Sequence, residues 1–226
     1  DSSPLSDTPR PGNAKFKKLT AIDPNSTNPY QLTEADRTVI GNTTPKFSGG
    51  FGLNATYKGF DMSMFFNFMY DFDVLNANKI MLTTWADNKE NNFLMDIASD
   101  KRWRNFDDMG NEIRYSPEVL AEFNKNATMW NPTSIGRPIC MSYAVEDGSF
   151  LRLNSATLGY TLPSVWTKKV GLSKVRFYVS GNNLFTLTGY SGYDPEVNIA
   201  TGLTPNIDYN RYPRSRTYTF GAQLTF

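Results

Sequence analysis

The feature that most constrains this chain is a strict two-residue alternation sustained over unusually long stretches. At the end of the sequence, Tyr218, Phe220, Ala222, Leu224 and Phe226 alternate with Thr217, Thr219, Gly221, Gln223 and Thr225. A period of two puts successive side chains on opposite faces of a strand, so one face is apolar and the other small and polar. The same pattern runs through Lys46–Tyr57, where Phe47, Gly49, Phe51, Leu53, Ala55 and Tyr57 share a face. After a Lys58-Gly59 turn it continues through Phe60, Met62, Met64, Phe66, Phe68 and Tyr70. A third stretch, Phe150–Leu162, changes phase midway: Leu151 and Leu153 precede Ala156, Leu158, Tyr160 and Leu162. A β-bulge near Asn154 reconciles the two halves. Val175, Phe177 and Val179 open a fourth strand against Arg176, Tyr178 and Ser180.

Five long antiparallel strands fit either a soluble β-sandwich, such as a carbohydrate-binding module, or part of a membrane β-barrel. Three features favour the barrel. The polar faces are Ser, Thr, Asn, Gly and Gln, which suit a water-filled lumen better than the Lys and Glu of a solvated sheet. The connections alternate between short and long, as barrel turns and outer loops do. Twelve residues at about 3.3 Å each, tilted by about 40°, cover about 30 Å of membrane normal. Because the smallest bacterial barrels have about eight strands, five must belong to a larger one.

Elsewhere the chain excludes more than it asserts. There is no histidine, so Ser-His-Asp and Cys-His nucleophiles and histidine-bearing zinc sites are out. The single Cys140 permits no intrachain disulfide and reads as a small buried loop residue. With 23 basic and 22 acidic residues the net charge is +1, giving no electrostatic case for nucleic acid. No run of 18 apolar residues exists, so no membrane-spanning helix is expected. The opening stretch, from Asp1 to Asn13, lacks the basic and apolar regions of a signal peptide and reads as loop.

Residues 1–45 are broken by prolines, and only Asn13–Leu19 suggests a short strand. Residues 76–147 read as a long irregular segment holding Trp85, Trp103 and Trp130. It carries one helix, with Ser116 as N-cap, Pro117 at the first position, and Val119, Leu120 and Phe123 on one side. Residues 189–214 form another glycine- and proline-rich loop. Within it, Asp194 and Glu196 do not fix the separation of about 5 Å or about 6.5–9.5 Å that glycoside hydrolysis requires, and read as loop carboxylates. Tyr160, Phe177, Tyr178 and Tyr218 read as lipid or interface contacts.

Several runs resemble the end of the SusC/RagA-type TonB-dependent transporters: AVEDGSFLRLNSATLGYTLP (144–163), VRFYVSGNNLFTLTGYSGYDPEVN (175–198) and YPRSRTYTFGAQLTF (212–226). The stretch 36–66 is similar to the strands just upstream in that family, PRPGNAKFKKL (9–19) to its preceding loop strand, and MWNPT (129–133) to a Trp-x-Pro element of its long loop. The resemblance implies an all-β fold: about five C-terminal strands of a 22-stranded outer-membrane barrel with an N-terminal plug upstream of this chain. The expected organisation is an extracellular loop over 1–45, a strand hairpin over 46–75, a long extracellular loop over 76–147, and the last three barrel strands over 148–226.

The implied work is import of oligosaccharides or oligopeptides across the outer membrane, not catalysis. The implied partners are a SusD-like surface lipoprotein, the TonB complex acting through the plug, outer-membrane lipid and the cargo, with no nucleic acid. Many family members carry an acidic stretch resembling a calcium loop. Here Asp23-Pro24-Asn25-Ser26-Thr27-Asn28 breaks that spacing, so neither metal nor cofactor is expected. Flat aromatics beside Asn, Asp and Arg suit sugar rings, and the same loops could pair with peptides. The expected cargo contacts are Trp103, Arg104, Trp130, Tyr193 and Asp194, with Tyr190 and Asn198 nearby.

Overall fold

The computed structural model describes residues 11–27, 29, 32–84, 92–98, 100–134, 139–197 and 205–226. Trp85 and Asn198 lie outside them. The chain divides into two units: a loop unit (1–40 and 76–144) and a sheet unit (41–75 and 145–226).

In the sheet unit, β1 (Phe47–Tyr57) and β2 (Phe60–Tyr70) form a hairpin through Lys58-Gly59, both with positive φ. The chain then makes β3 (Asp73–Asn76), and after the loop unit returns as β4 (Val145–Asp147) and β5 (Phe150–Thr161). From β5 it runs into β6 (Lys174–Thr188), β7 (Ile207–Asp208) and β8 (Thr217–Thr225). The main antiparallel sheet has the order β1-β2-β5-β6-β8, and a small second sheet has the order β4-β3-β7.

The register keeps the alternation in phase across all five long strands. Ala55 faces Met62, Met62 faces Leu158, Leu158 faces Val179, and Val179 faces Phe220. Phe66, Leu158, Phe220 and Leu224 therefore share one face, while Asn67, Thr157, Gly221 and Gln223 share the other. The apolar face is open: Phe220 is 81% exposed, Phe177 51% and Leu158 48%. In a sandwich that face would be the buried inner one. The soluble β-sandwich is therefore set aside, and the architecture is a segment of barrel wall.

The bulge falls at Asn154, as the phase change requires. Its effect grows across the sheet. One step on β2 (Phe65 to Phe66) matches two on β5 (Ser155 to Leu153) and three on β6 (Asn182 to Phe185). Asn183 takes the extra turn at φ 54°, a left-handed conformation that asparagine tolerates. Tyr178 departs from expectation, because it sits on the polar face rather than among lipid-facing aromatics. Its ring lies over Gly221, where a Cβ would come within 2.4 Å of the ring. The β5–β6 connection contains a short helix, α3 (Ser164–Thr167), and a single 3-10 turn. It lies at the same end of the sheet as Lys58-Gly59, and the connection from β6 to β8 leaves from the other.

The loop unit has no sheet of its own among the described residues. It contains α1 (Ala77–Met81), α2 (Pro117–Phe123) and isolated 3-10 turns. α2 starts at Pro117 as its sequence demands, although Ser116 makes no side-chain cap. Asn13–Leu19 forms no strand. Instead the Asp36 carboxylate gathers the Leu19 and Thr20 amides at 2.8 and 2.7 Å and the Thr33 amide at 2.9 Å. Cys140 is exposed, not buried, because its neighbour Met141, 8% exposed, is the side chain turned inward at this point.

Candidate functional site

At the loop end of the sheet, the bulge turns Arg152 onto the polar face, where it is 1% exposed. A buried guanidinium requires paired donors and opposite charge. Arg152 Nη1 donates to Asn183 Oδ1 at 2.7 Å and to Asp194 Oδ2 at 3.2 Å, and Nη2 donates to Asp194 Oδ1 at 2.5 Å. Its Nε stands 3.7 Å from Glu196 Oε2. Arg214 closes the cluster by donating to Glu196 Oε1 at 2.7 Å. The Asn183 amide donates to the carbonyls of Arg214 and Ser215 at 2.9 and 3.3 Å. One bulge residue thus ties β5 to the segment entering β8. Burial pushes the Asp194 carboxyl up, but Arg152 and the Glu196 amide outweigh it and hold the group below the usual carboxylate range.

Beneath this cluster lies the apolar centre of the sheet unit: Phe72, Val74, Phe150, Tyr190 and Val197. The Arg152 guanidinium sits 5.4 Å over the Phe150 ring. Tyr190, an expected neighbour of the cargo, is instead buried here and donates to Asp208 Oδ2 at 2.7 Å. Burial, with the carboxylates of Asp208 and Glu146 nearby, raises its pKa far above the ordinary tyrosine value. Tyr193 is the opposite case, at 85% exposed.

The remaining expected contacts lie in the loop unit, each with a packing role. Trp103 closes over Gly12, whose φ is +88° and where a Cβ would fall 2.3 Å from the indole. Its backbone amide donates to the Met129 carbonyl at 2.9 Å. Its Nε1 is buried with no partner among the described residues. Arg104 has its backbone clamped by Asn124, which accepts from its amide at 2.6 Å and donates to its carbonyl at 2.9 Å. Its guanidinium reaches Asp108 at 2.6 Å and lies over the Phe123 ring. Trp130 donates to the Thr83 carbonyl at 3.3 Å and meets Tyr143 edge-on at 4.9 Å. Trp103, Arg104 and Trp130 therefore share one unit, and Tyr193 and Asp194 share the other.

Reading the sequence missed Arg152, Asn183 and Arg214. The available signal was a charged residue on the polar face directly beside a phase change. A buried arginine needs carboxylates, and Asp194 and Glu196 are the pair the next loop supplies.

The fold and the wall-anchored loop define a segment of an antiparallel outer β-barrel with elaborated loops at one end. No family model matches the chain. TonB-dependent receptor P3 of Formosa agariphila is 35% identical to it over 202 residues, 87% of this chain and 18% of that protein. TonB-dependent receptor SusC of Bacteroides thetaiotaomicron is 38% identical over 88 residues, 37% of this chain and 8% of SusC. Among solved structures, the RagAB peptide importer in its "closed-closed" state superposes with a TM-score of 0.64 at 25% identity, covering 87% of this chain and 19% of that one. The chain belongs to the SusC/RagA-type TonB-dependent receptors; the relatives named here are receptors and a peptide importer, not enzymes, and the chain spans less than a fifth of the length of P3.

Proposed function

We propose that this segment forms part of the wall and outer mouth of an outer-membrane importer of oligosaccharides or oligopeptides. The observation that carries the reading is the sheet itself. An open apolar face suits lipid and a face of small polar residues suits a lumen, over strands long enough to span. In this reading the Lys58-Gly59 turn and the 163–172 connection are periplasmic, and 1–45, 76–147 and 189–214 are extracellular. A SusD-like lipoprotein covers the mouth, and the TonB complex drives transport through a plug outside this chain.

Cargo contact is proposed for Trp103, Arg104, Trp130, Tyr193 and Asp194. Of these, Tyr193 has its ring turned to solvent, and the other four are engaged in packing or pairing. The likeness to a peptide importer supports oligopeptide cargo, and aromatics beside Asn, Asp and Arg support oligosaccharide.

The test uses the full-length protein in intact cells with Cys140→Ser, because Cys140 is exposed. Cysteines at Tyr212 and at Lys168 are offered an impermeant maleimide. Labelling at Tyr212 alone is expected, and labelling at Lys168 alone overturns the orientation. Loss of uptake of either an oligosaccharide pool or an oligopeptide pool on deleting the gene supports import, and unchanged uptake of both overturns it.

A further inference from the structure

The segment 190–197 has a division of labour that import alone does not explain. Tyr190 is buried and bonded to Asp208. Ser191 donates through its amide and its hydroxyl to the two Glu146 oxygens, at 2.9 and 2.8 Å. Asp194 is held by Arg152 and also accepts the Glu196 amide at 2.9 Å. Pro195 is buried. Glu196 bridges Arg152 and Arg214, and Val197 is in the core at 2% exposed. Tyr193 stands between these fixed residues, and among the described residues its hydroxyl has no partner.

A large aromatic held in water on a rigid base keeps its apolar area available while losing little rotamer entropy when it binds. Two arginines hold the centre of that base, and Arg214 supplies its backbone amide to Asp194 and its guanidinium to Glu196 from the segment entering β8. Among the described residues, Arg152 is the only group reaching both Asp194 and Glu196 from the barrel wall, and Asn183 fixes the bulge that aims it.

We propose that Arg152 is a positioning residue for the importer's outer mouth. It latches the 190–197 loop to the wall so that Tyr193 is presented, already ordered, as an aromatic contact for incoming cargo. This rests on the import reading above. The latch acts through charges that must stay paired. Removing Arg152 leaves two carboxylates without their buried partner, whereas removing all three charges strands none in the interior and leaves only the half-exposed Arg214 without its carboxylate.

The test is made in the full-length transporter, with its lipoprotein, in outer membranes. A nitroxide on a cysteine at Tyr193, and a control nitroxide at Val165, report local mobility in Cys140→Ser background. The variants are Arg152→Met, Asp194→Asn and the charge-free Arg152→Met/Asp194→Asn/Glu196→Gln. The label at 193 should be immobile in the parent and mobile in Arg152→Met, with a smaller change in the triple variant, while Val165 stays unchanged. Asp194→Asn keeps the test open should Arg152→Met fail to assemble.

Uptake of an oligopeptide pool and of an oligosaccharide pool supplies the second arm. For whichever pool the parent imports, Tyr193→Ala and Arg152→Met should each raise the half-saturation concentration about fivefold with the maximal rate kept. The double variant should be no worse than either. A label at 193 that is mobile in the parent, or immobile in both Arg152→Met and Asp194→Asn, overturns the latch. An unchanged half-saturation in Tyr193→Ala overturns the presentation of cargo. A parent that imports neither pool overturns the import reading and this proposal with it, whatever the labels show.

Discussion

In the main sheet each strand is held to the next along nine to eleven paired residues, by backbone groups that any sequence possesses. In the loop unit, single side chains do the same work. Asp36 gathers 18–20 and 33, Asn124 joins the end of α2 to Arg104, and Trp103 and Trp130 close on other turns. A ladder spreads its stability over many bonds and tolerates replacement on its polar face. A structure of individual clasps concentrates stability in a few residues, each with a particular shape. The cap over the sheet's loop end combines both kinds, because a bulge in the ladder aims one arginine at a loop.

The largest expected effect separates the two faces of the wall. Leu158→Arg should destabilise the full-length barrel by about 2–4 kcal/mol in lipid bilayers, whereas Thr157→Arg, on the opposite face, should cost much less. Urea unfolding followed by tryptophan fluorescence measures both. Equal losses would break the assignment of one face to lipid and the other to water.

Next, Gly12→Ala should cost the loop unit about 2–3 kcal/mol, since it combines a left-handed backbone with a methyl driven into the Trp103 ring. Hydrogen exchange should rise across 101–105 and 128–131 while β1, β2, β5, β6 and β8 keep their protection. Exchange spreading into the strands would show that the two regions are not separately held.

Asn124→Ala is expected to be milder, at about 1–2 kcal/mol. It removes the bonds to the Arg104 amide and carbonyl and to the Leu120 carbonyl. Protease cleavage near 104–108 should increase, with unchanged heat-modifiability of the barrel on gels.

The smallest effect concerns pH. Backbone and hydroxyl donors from Thr20, together with Thr33 and Leu19, hold the Asp36 carboxyl well below its ordinary value. A depressed carboxyl contributes fully above its unfolded pKa of about 3.9 and loses that contribution as pH falls toward the folded value. Protection of the Leu19, Thr20 and Thr33 amides should therefore persist at pH 5 and fall away below about pH 4. Asp36→Asn should show reduced protection at neutral pH as well. Protection already lost between pH 7 and pH 5 would count against this role.

The sequence by itself determined the wall. Period-two alternation assigns each residue from Phe47 to Tyr70 to a face, and the phase change between Leu153 and Ala156 locates the bulge, because a slip of one residue would turn every side chain over. It likewise placed α2 through Pro117 and the hairpin through Lys58-Gly59. Tyr178 was legible only in part. Its phase shows the face, but its seat over Gly221 depends on a strand some forty residues away. What tertiary structure alone decided is the cluster at the mouth. Arg152, Asn183, Asp194, Glu196 and Arg214 are scattered over more than sixty residues, and only Arg152 carries a local mark, its place beside the phase change. The small β4-β3-β7 sheet and the Gly12–Trp103 closure were hidden for the same reason. Periodicity records how each residue meets its own strand. The pairing of a buried charge is fixed only when distant segments arrive at the same place, and the water that would otherwise solvate that charge is excluded only then.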